Sequence, residues 1–526
     1  MHYNRHYDNP SVMGLDSETV TGMPYTLQFW QPNYQKIMFV NSENVTRRFL
    51  SLLEALPDKR LILFVYYSKF DLPILLFPYL HYFSEDGFDL KIQGWQLKVF
   101  CSKNYWASLY HAKTRKYVQI IDIFNFFKGG LDKVAKDMKV GIRKLKRPAN
   151  IGEYAFSRKD KKYIRYAMQD AQVAYELGKM IAKHHKEFDI PVSLSAPKMA
   201  ELIFRKHFLN VGDEYLLPET EKCLSYSLHC YHGAKNAYYL DHPAFFRKIF
   251  DYDIISAYPF AMSILPSFLT GRYRVVAGFY PDVLNRPGVY FLHAKLKPCR
   301  YGIFSTMGFR YIREGGTVKI FATGYEILEA LRAKELEILY INGFVFESTA
   351  TRNPLQEYVR YFYEHKKKAK NKSASYELYK LLLNSLYGKW VQTNPVQQEK
   401  IEVGEDLSMK LLPASKVAAG LFNPFIASQI TGFIRAELHR LEHKYHAIET
   451  STDSFKTRKE ITFRHKQSLG GLELKFAGSG LFCRSRLNLL LDGRKIKGCA
   501  LHGFWGTAKD LYNLYASQST TYLISR

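Results

Sequence analysis

No two cysteines in this sequence form a CxxC pair; the six (Cys101, Cys223, Cys230, Cys299, Cys483 and Cys499) are scattered. That spacing offers no zinc finger or ribbon, and in so long a chain it reads as free thiols in a reducing compartment. Long apolar runs are missing as well. The most apolar stretch, 61-LILFVYYSKFDLPILLFPYL-80, contains Lys69, Asp71 and two prolines, which excludes a membrane span. The opening MHYNRHYDNP has no apolar h-region, so no secretory signal is expected. Internal repeats and low-complexity tracts are absent. Acids are the scarce charge: 49 Asp and Glu against 75 Lys and Arg leave a net +26 at neutral pH. An excess of that size points to a polyanionic partner, most simply nucleic acid.

What is present is a globular composition, 47% hydrophobic over 526 residues, too long for one core and suited to two to four domains. Tyrosine and phenylalanine number 39 and 37. Rings beside cations are what unpaired bases stack on, although for any single ring the core is the commoner place. Up to about residue 190 short apolar strands alternate with helical stretches, an α/β pattern. Two basic runs there, 143-RKLKR-147 and 158-RKDKK-162, read as solvated faces. From about 245 strands dominate, a helical pair broken by 365-HKKKAKNKS-373 covers 355–388, and beyond about 396 strands and turns return.

Acids recur at the ends of apolar segments in the first half. In 12-VMGLDSETV-20, Asp16 and Glu18 are two apart and share one face of a strand. Two carboxylates side by side repel unless a cation lies between them. Asp71 follows a second apolar run. In 163-YIRYAMQDAQVAYELGKMI-181, Tyr166 and Asp170 share a helix face beside an apolar stripe, where an unpaired acid is costly. Together the four carboxylates suit two divalent ions, which can hold both the attacking and the leaving oxygen of a phosphodiester. Tyr166, one turn before Asp170, is set to orient an attacking water.

In the second half, Asp253 ends an apolar strand in 249-IFDYDIISAYPFAM-262, followed by Ser256, Tyr258 and Pro259. In 376-YELYKLLLNSLYGKW-390, Lys380, Asn384 and Tyr387 fall at i, i+4 and i+7, one polar stripe in a leucine-rich helix that Gly388 would close. Such a stripe suits a ligand with phosphate and ring. The run 450-TSTDS-454 sets one carboxylate among hydroxyl residues, ordinarily the mark of a turn. Asp453 needs a second acid for metal chemistry, and Asp253, about 200 residues upstream, is its natural partner.

These segments resemble the family B DNA polymerases, in particular the compact protein-primed polymerases of bacteriophages and linear plasmids. The DxxSLYP motif stands here as Asp253-Ile-Ile-Ser256-Ala257-Tyr258-Pro259, KxxxNSxYG as Lys380 to Gly388, and YxDTDS as Glu449 to Ser454. The exonuclease motifs DxE, NxxFD and YxxxD match Asp16/Glu18, Phe70/Asp71 and Tyr166/Asp170. The segment 231-YHGA-234 resembles YxGG, and Thr431 with Arg435 resembles the Thr…Arg element. The matches run in family order from about residue 12 to about 503. Three departures stand out. Ser451 and Glu449 replace the first aspartate and the tyrosine of YxDTDS, and Tyr67 replaces the asparagine of NxxFD. At the KxY element, 495-KIKG-498 fits better than 484-RSRLNLLL-491.

The resemblance implies an RNase-H-like α/β exonuclease domain followed by an α+β right-hand polymerase of palm, fingers and thumb. It implies an exonuclease over 1–190, a connecting segment with the YxGG-like motif over 191–245, palm over 246–299 and 421–480, fingers over 351–390 and thumb over 481–526. Two insertions, 300–350 and 391–420, correspond by position to a priming-protein contact and a strand-displacement element. The implied activity is dNTP addition to a 3′-hydroxyl by a two-metal mechanism, with proofreading. Two Mg²⁺ per site, replaceable by Mn²⁺, fall to Asp253, Asp453 and the Ile254 backbone, and to Asp16, Glu18, Asp71 and Asp170. Tyr258, Lys380, Asn384, Tyr387 and, from the 366–370 basic cluster, Lys368 are implied to bind nucleotide. Tyr231, Gly233, Phe70, Thr431, Arg435 and Lys497 are implied to bind DNA. Expected partners are primer-template and single-stranded DNA, dNTPs and a terminal priming protein, for a monomer in the cytoplasm, the host's if viral. The alternatives are a primer-independent polymerase and a non-catalytic nucleic-acid-binding relic.

Overall fold

Alternating apolar strands and amphipathic helices form the expected α/β layout in the first part of the chain. The structure, a computed structural model, describes residues 10–84, 86–101, 105–146, 159–233, 235–306, 310–370, 373–397, 400–403, 409–412, 415–418, 420–463, 468–484, 487–492 and 495–498. It divides into two compact units, one of Met1–His207 with Glu364–Ser385 and one of Phe208–Tyr363 with Leu386–Arg526.

The first unit contains β1 (Ser11–Val20), β2 (Met23–Gln31), β3 (Tyr34–Phe39), α1 (Val45–Ala55), β4 (Arg60–Val65), α2 (Ser68–Leu75), β5 (Gly87–Ile92), β6 (Trp95–Cys101), β7 (Tyr105–His111), β8 (Lys116–Asp122), α3 (Leu131–Asp137), α4 (Lys161–Glu187) and α5 (Ala196–His207). One eight-stranded sheet has the order β3-β2-β1-β4-β8-β7-β6-β5. Its centre, β1-β4-β8, is parallel and its flanks are antiparallel. The continuous apolar run of β4 fits a strand covered on both faces. Helix α4 lies directly on β1: a Cβ at Gly14 would sit 1.9 Å from the Ala171 carbonyl oxygen. That close approach sets Asp170, the residue before Ala171, over the strand that carries Asp16 and Glu18.

The second unit opens with α6 (Glu221–Cys230), β9 (Lys235–Tyr238), β10 (Ala244–Ile254), α7 (Ala257–Ile264), β11 (Gly271–Ala277), β12 (Gly288–Leu296), β13 (Ser305–Thr306), β14 (Arg310–Tyr311), β15 (Gly316–Thr323), α8 (Gly324–Arg332) and β16 (Leu336–Ser348). The unit boundary falls inside α9 (Pro354–Lys368), and α10 (Ala374–Ser385) belongs to the first unit. The second unit resumes with β17 (Thr393–Gln397), β18 (Lys400–Val403), β19 (Met409–Leu412), β20 (Ser415–Ala418), α11 (Pro424–Tyr445), β21 (Glu449–Thr452), β22 (Ser454–Thr457), β23 (Leu472–Arg484), β24 (Leu487–Asp492) and β25 (Lys495–Gly498). A seven-stranded antiparallel sheet has the order β25-β24-β23-β10-β22-β21-β9, and a four-stranded one has β11-β16-β12-β15. β17 pairs with β20 and β18 with β19.

Two local expectations are corrected. Helix α10 stops at Ser385, and Tyr387 begins a short 3₁₀ segment, Tyr387–Val391, so the Lys380–Asn384–Tyr387 stripe is not one helix face and Gly388 does not close the helix. Where strands and turns were expected, α11 runs for 22 residues, started by Asn423, whose side chain accepts from Ile426 N, and by Pro424. Most of its surface is buried, so its sequence lacks the amphipathic stripe that marks a surface helix. Among the described residues no helix is long and apolar enough to cross a membrane.

Candidate active sites

In the first unit Asp16, Glu18 and Asp170 each bring a carboxylate oxygen within 4.8 Å of the others. Tyr166 and Asp170 lie one turn apart on α4, both buried. Burial, and then the charges of Asp71, Asp170 and Glu18, hold the Asp16 carboxyl well above the usual carboxylate range. Asp71, on α2, stays outside the trio. Burial pushes it up to about 8, opposed by the Ser17 hydroxyl, which donates to its Oδ1 at 2.6 Å, while Asp122 and Glu18 add to the rise. Lys144 corrects the reading of 143-RKLKR-147 as a solvated face: it bonds Asp170 Oδ2 and stands 5.6 Å from the Tyr166 ring centroid. The other Asp170 oxygen is buried without a hydrogen bond. Clustered acids, one cation already among them and one unpartnered oxygen, fit a divalent ion.

At the start of α2, Tyr67 and Phe70 are exposed aromatic rings, 48% and 43% accessible. The Tyr67 backbone is left-handed, with φ +73°, and its N–H donates to Asp122 Oδ1 at 2.9 Å. Asparagine tolerates that conformation better than tyrosine. The ring of Tyr67 meets Phe124 edge-on at 5.6 Å, and Lys128 stands 4.2 Å over Phe124.

In the second unit β10 lies beside the β21–β22 hairpin. Asp253 pairs with Ser454 and Ser451 with Ser454, while the adjacent row carries Asp251, Lys456 and Glu449. TSTDS is indeed a turn. Thr452 has φ +64°, the Asp453 N–H donates to Ser451 O, and the Ile254 N–H donates to Asp453 O, each at 2.9 Å. The same turn holds Asp453 next to β10. Burial pushes the Asp453 carboxyl up to about 6; Asp253 and Asp251 add to this and Lys475 opposes it. Lys475, on β23, reaches within 3.5 Å of Asp253 Oδ2. Asp251 is also raised to about 6, by burial first, with Lys456 opposing and Asp253 and Glu449 adding. Its Oδ1 is buried without a hydrogen bond. Three acids, one lysine and an unpartnered oxygen again fit divalent ions. Glu449 does not share in this. It is buried 3.1 Å from Lys456 Nζ and accepts from Asn488 at 2.6 Å, so its charge is already neutralised. Where Ser451 replaces an aspartate, Asp251 is therefore the nearby acid with an oxygen to spare.

Tyr258, in the first turn of α7, stacks on Tyr387 with centroids 4.1 Å apart and planes 12° apart. Burial pushes both hydroxyls up; Tyr387 and then Asp453 add to the rise of Tyr258, and Tyr231 and then Asp453 to that of Tyr387. Gly233 is exposed and Tyr231 half-buried. Thr431 and Arg435, expected at the DNA, are buried instead. The Thr431 hydroxyl donates back to Ala427 O at 3.1 Å. Arg435 donates to Glu326 at 2.7 Å, to His232 O at 2.7 Å and to Cys230 O at 3.1 Å, which fixes the 231–233 segment and leaves no guanidinium face for a phosphate. Lys380 and Asn384, exposed on α10, line a cleft of about 270 Å³ within the first unit, together with Phe126, Phe127, Lys128 and Met138. Lys368 is exposed at the end of α9. Lys497 lies on β25, its side chain outside the described residues. Sequence reasoning missed Lys144 and Lys475. Alternation along β23 places Lys475 on the face of Glu473, but nothing local ties that face to Asp253.

The fold is that of a known class of polymerase. The chain is similar to Phi29 DNA polymerase complexed with primer-template DNA, with a TM-score of 0.70 and 16% identity over 96% of this chain and 93% of that one. The same polymerase with primer-template DNA and incoming nucleotide substrates gives 0.70 and 15% over 96% and 94%, and with single-stranded DNA 0.67 and 16% over 94% and 90%. At such identities the likeness is one of fold. Residues 152–411 match the family described as DNA polymerase type B, organellar and viral. A probable DNA polymerase of Neurospora intermedia is 28% identical over 265 residues, 47% of this chain and 26% of that protein, so the match spans about a quarter of that relative. The resemblance to family B DNA polymerases carried by the motifs is thus borne out by family, fold and relative alike.

Proposed function

We propose that the protein is a template-directed DNA polymerase of the protein-primed kind that adds dNTPs to a 3′-hydroxyl, with a 3′–5′ proofreading exonuclease in its first unit. The observation that carries this reading is that Asp453, in the β21–β22 turn, is held beside Asp253 on β10, far apart in sequence and near the Tyr258–Tyr387 stack. The 3′-hydroxyl of a primer attacks the α-phosphate of the nucleotide and pyrophosphate leaves. Two Mg²⁺, or Mn²⁺, held by Asp253, Asp453 and the Ile254 carbonyl, would lower the hydroxyl's pKa and neutralise the leaving group. Asp251 adds charge at that site. Tyr258 excludes a 2′-hydroxyl by clash, and Tyr387 packs on the nascent pair. Lys380, Lys368 and Asn384 meet the triphosphate, the lysines as point charges. Tyr231 and Gly233 guide the DNA from a segment that Arg435 positions, and Lys497 contacts the primer.

In the exonuclease, Asp16, Glu18, Asp71 and Asp170 would hold the ions and Tyr166 orients water, with Lys144 positioning both Tyr166 and Asp170. Phe70 and Tyr67 offer exposed rings on which unpaired bases stack. Under this reading 1–190 is the RNase-H-like exonuclease, 191–245 the connector, 246–299 and 421–480 the palm, 351–390 the fingers and 481–526 the thumb. The 300–350 segment meets a terminal protein, 391–420 serves strand displacement, and the enzyme works as a monomer in the cytoplasm. The test is primer extension on a singly primed template with Mg²⁺ and dNTPs. Extension supports the reading, and none with Mg²⁺ or Mn²⁺ contradicts it. Products without any primer would favour the primer-independent alternative.

A further inference from the structure

Helix α11 carries a cluster that neither acid site uses. His439 and His443, four residues apart, share one helix face, and Glu335 sits in the turn between α8 and β16. Ligand atoms of all three lie within 4.8 Å of one another. Glu335 Oε2 is 3.1 Å from His439 Nε2, and Oε1 is 3.0 Å from His443 Nε2. Glu335 thus presents one oxygen to each imidazole, and the three side chains meet at one place. A tetrahedral ion with N and O ligands at about 2.0–2.1 Å sets its ligand atoms roughly 3.3 Å apart, close to these separations.

We infer that Glu335, His439 and His443 form a mononuclear Zn²⁺ site. Two imidazoles with one carboxylate suit Zn²⁺ and not Mg²⁺, which takes oxygen ligands. Water completes the shell, since the His443 side chain is 39% exposed. The other ring nitrogen of His439 faces Glu442 Oε2 at 3.8 Å, the place of the carboxylate that commonly stands behind a metal-bound histidine. The spacing His439-x-x-Glu442-His443 is that of zinc peptidases in which the glutamate is a base. Here Glu442 is fully buried and already accepts from Lys235 at 2.6 Å, the Tyr239 hydroxyl at 2.7 Å and Thr450 at 2.6 Å. It has no reach to a water, so the site is structural.

The ion ties α11 to the turn that ends α8 and begins β16. That turn is pinned by its backbone as well: Glu335 N–H donates to Ala330 O at 3.0 Å, and Lys297 N–H donates to Glu335 O at 2.9 Å. Two turns earlier, a Cβ at Gly432 would lie 2.3 Å from Thr323 Oγ1, so α11 and α8 are held at close range there too.

The test titrates metal-free full-length protein with Co²⁺ in excess Mg²⁺, which occupies oxygen-only sites. One equivalent with tetrahedral d–d absorption is expected, displaced by Zn²⁺ and raising the melting temperature. His443→Ala, at the half-exposed ligand, and Glu335→Gln should each lose that equivalent. No d–d absorption in the wild type, or an unchanged equivalent in both variants, overturns the site and leaves an ion pair.

Discussion

Asp453→Asn should make the metal-free protein more stable at neutral pH while removing a carboxylate that the proposed polymerase reaction needs. The Asp453 carboxyl titrates at about 6, pushed there by burial with Asp253 and Asp251 adding. That is about two units above an ordinary aspartate near ~3.9, and each unit is worth about 1.4 kcal/mol. The folded protein therefore binds this proton more tightly than the unfolded chain does. The resulting penalty is small below about pH 4, grows between about 4 and 6, and is full above about 6. At pH 7.5 it reaches about 3 kcal/mol, or roughly 1–3 kcal/mol allowing for the carboxyl's partial access to water. By pH 4.5 about a third remains. Asparagine keeps the shape without the charge. In EDTA, thermal unfolding should place Asp453→Asn a few degrees above wild type at pH 7.5, with most of the gap gone at pH 4.5. Added Mg²⁺ should stabilise the wild type and close the gap, because a ligand that binds only the folded state adds stability by mass action. A variant that melts no higher at pH 7.5, or a gap that ignores pH, would refute the raised Asp453 carboxyl.

Arg435→Met strands the buried Glu326 carboxylate and should cost about 3–5 kcal/mol in urea unfolding; an unchanged midpoint with a weaker salt dependence of DNA binding would return Arg435 to the DNA. Ser451→Asp should lower the Mg²⁺ concentration for half-maximal incorporation, since affinity for hard cations rises with the number of charged oxygens. Glu449→Gln, already neutralised by Lys456 and Asn488, should leave that concentration where it was, and a sharp rise would mark Glu449 as the substitute acid. Tyr258→Val should admit ribonucleotides, read as the ratio of dNTP to rNTP incorporation, and an unchanged ratio removes Tyr258 as the gate.

Much of both acid sites was legible because the motifs are local and the spacing within each strand or helix fixes a face. Asp16 with Glu18, and Tyr166 with Asp170, needed no tertiary information. The meeting of Asp170 with β1 depends on Gly14 allowing α4 to touch the strand, and single-sequence periodicity does not report that contact. Lys144 was hidden because a basic run is usually solvated. Lys475 reaches Asp253 only through the pairing of β23 with β10. Helix α11 escaped because burial around most of its surface erases the helical stripe. Thr431 and Arg435 show the limit of a motif match: it gives a position in the family's order, while burial and hydrogen bonding decide whether the side chain can reach a ligand.

The most direct measurement is single-nucleotide incorporation by Asp253→Asn and Asp453→Asn, each assayed alongside degradation of a single-stranded 3′ end by the same preparation. Incorporation should fall to background in both variants while degradation continues. Incorporation near the wild-type rate in either would contradict the assignment of these two aspartates as the metal-holding pair.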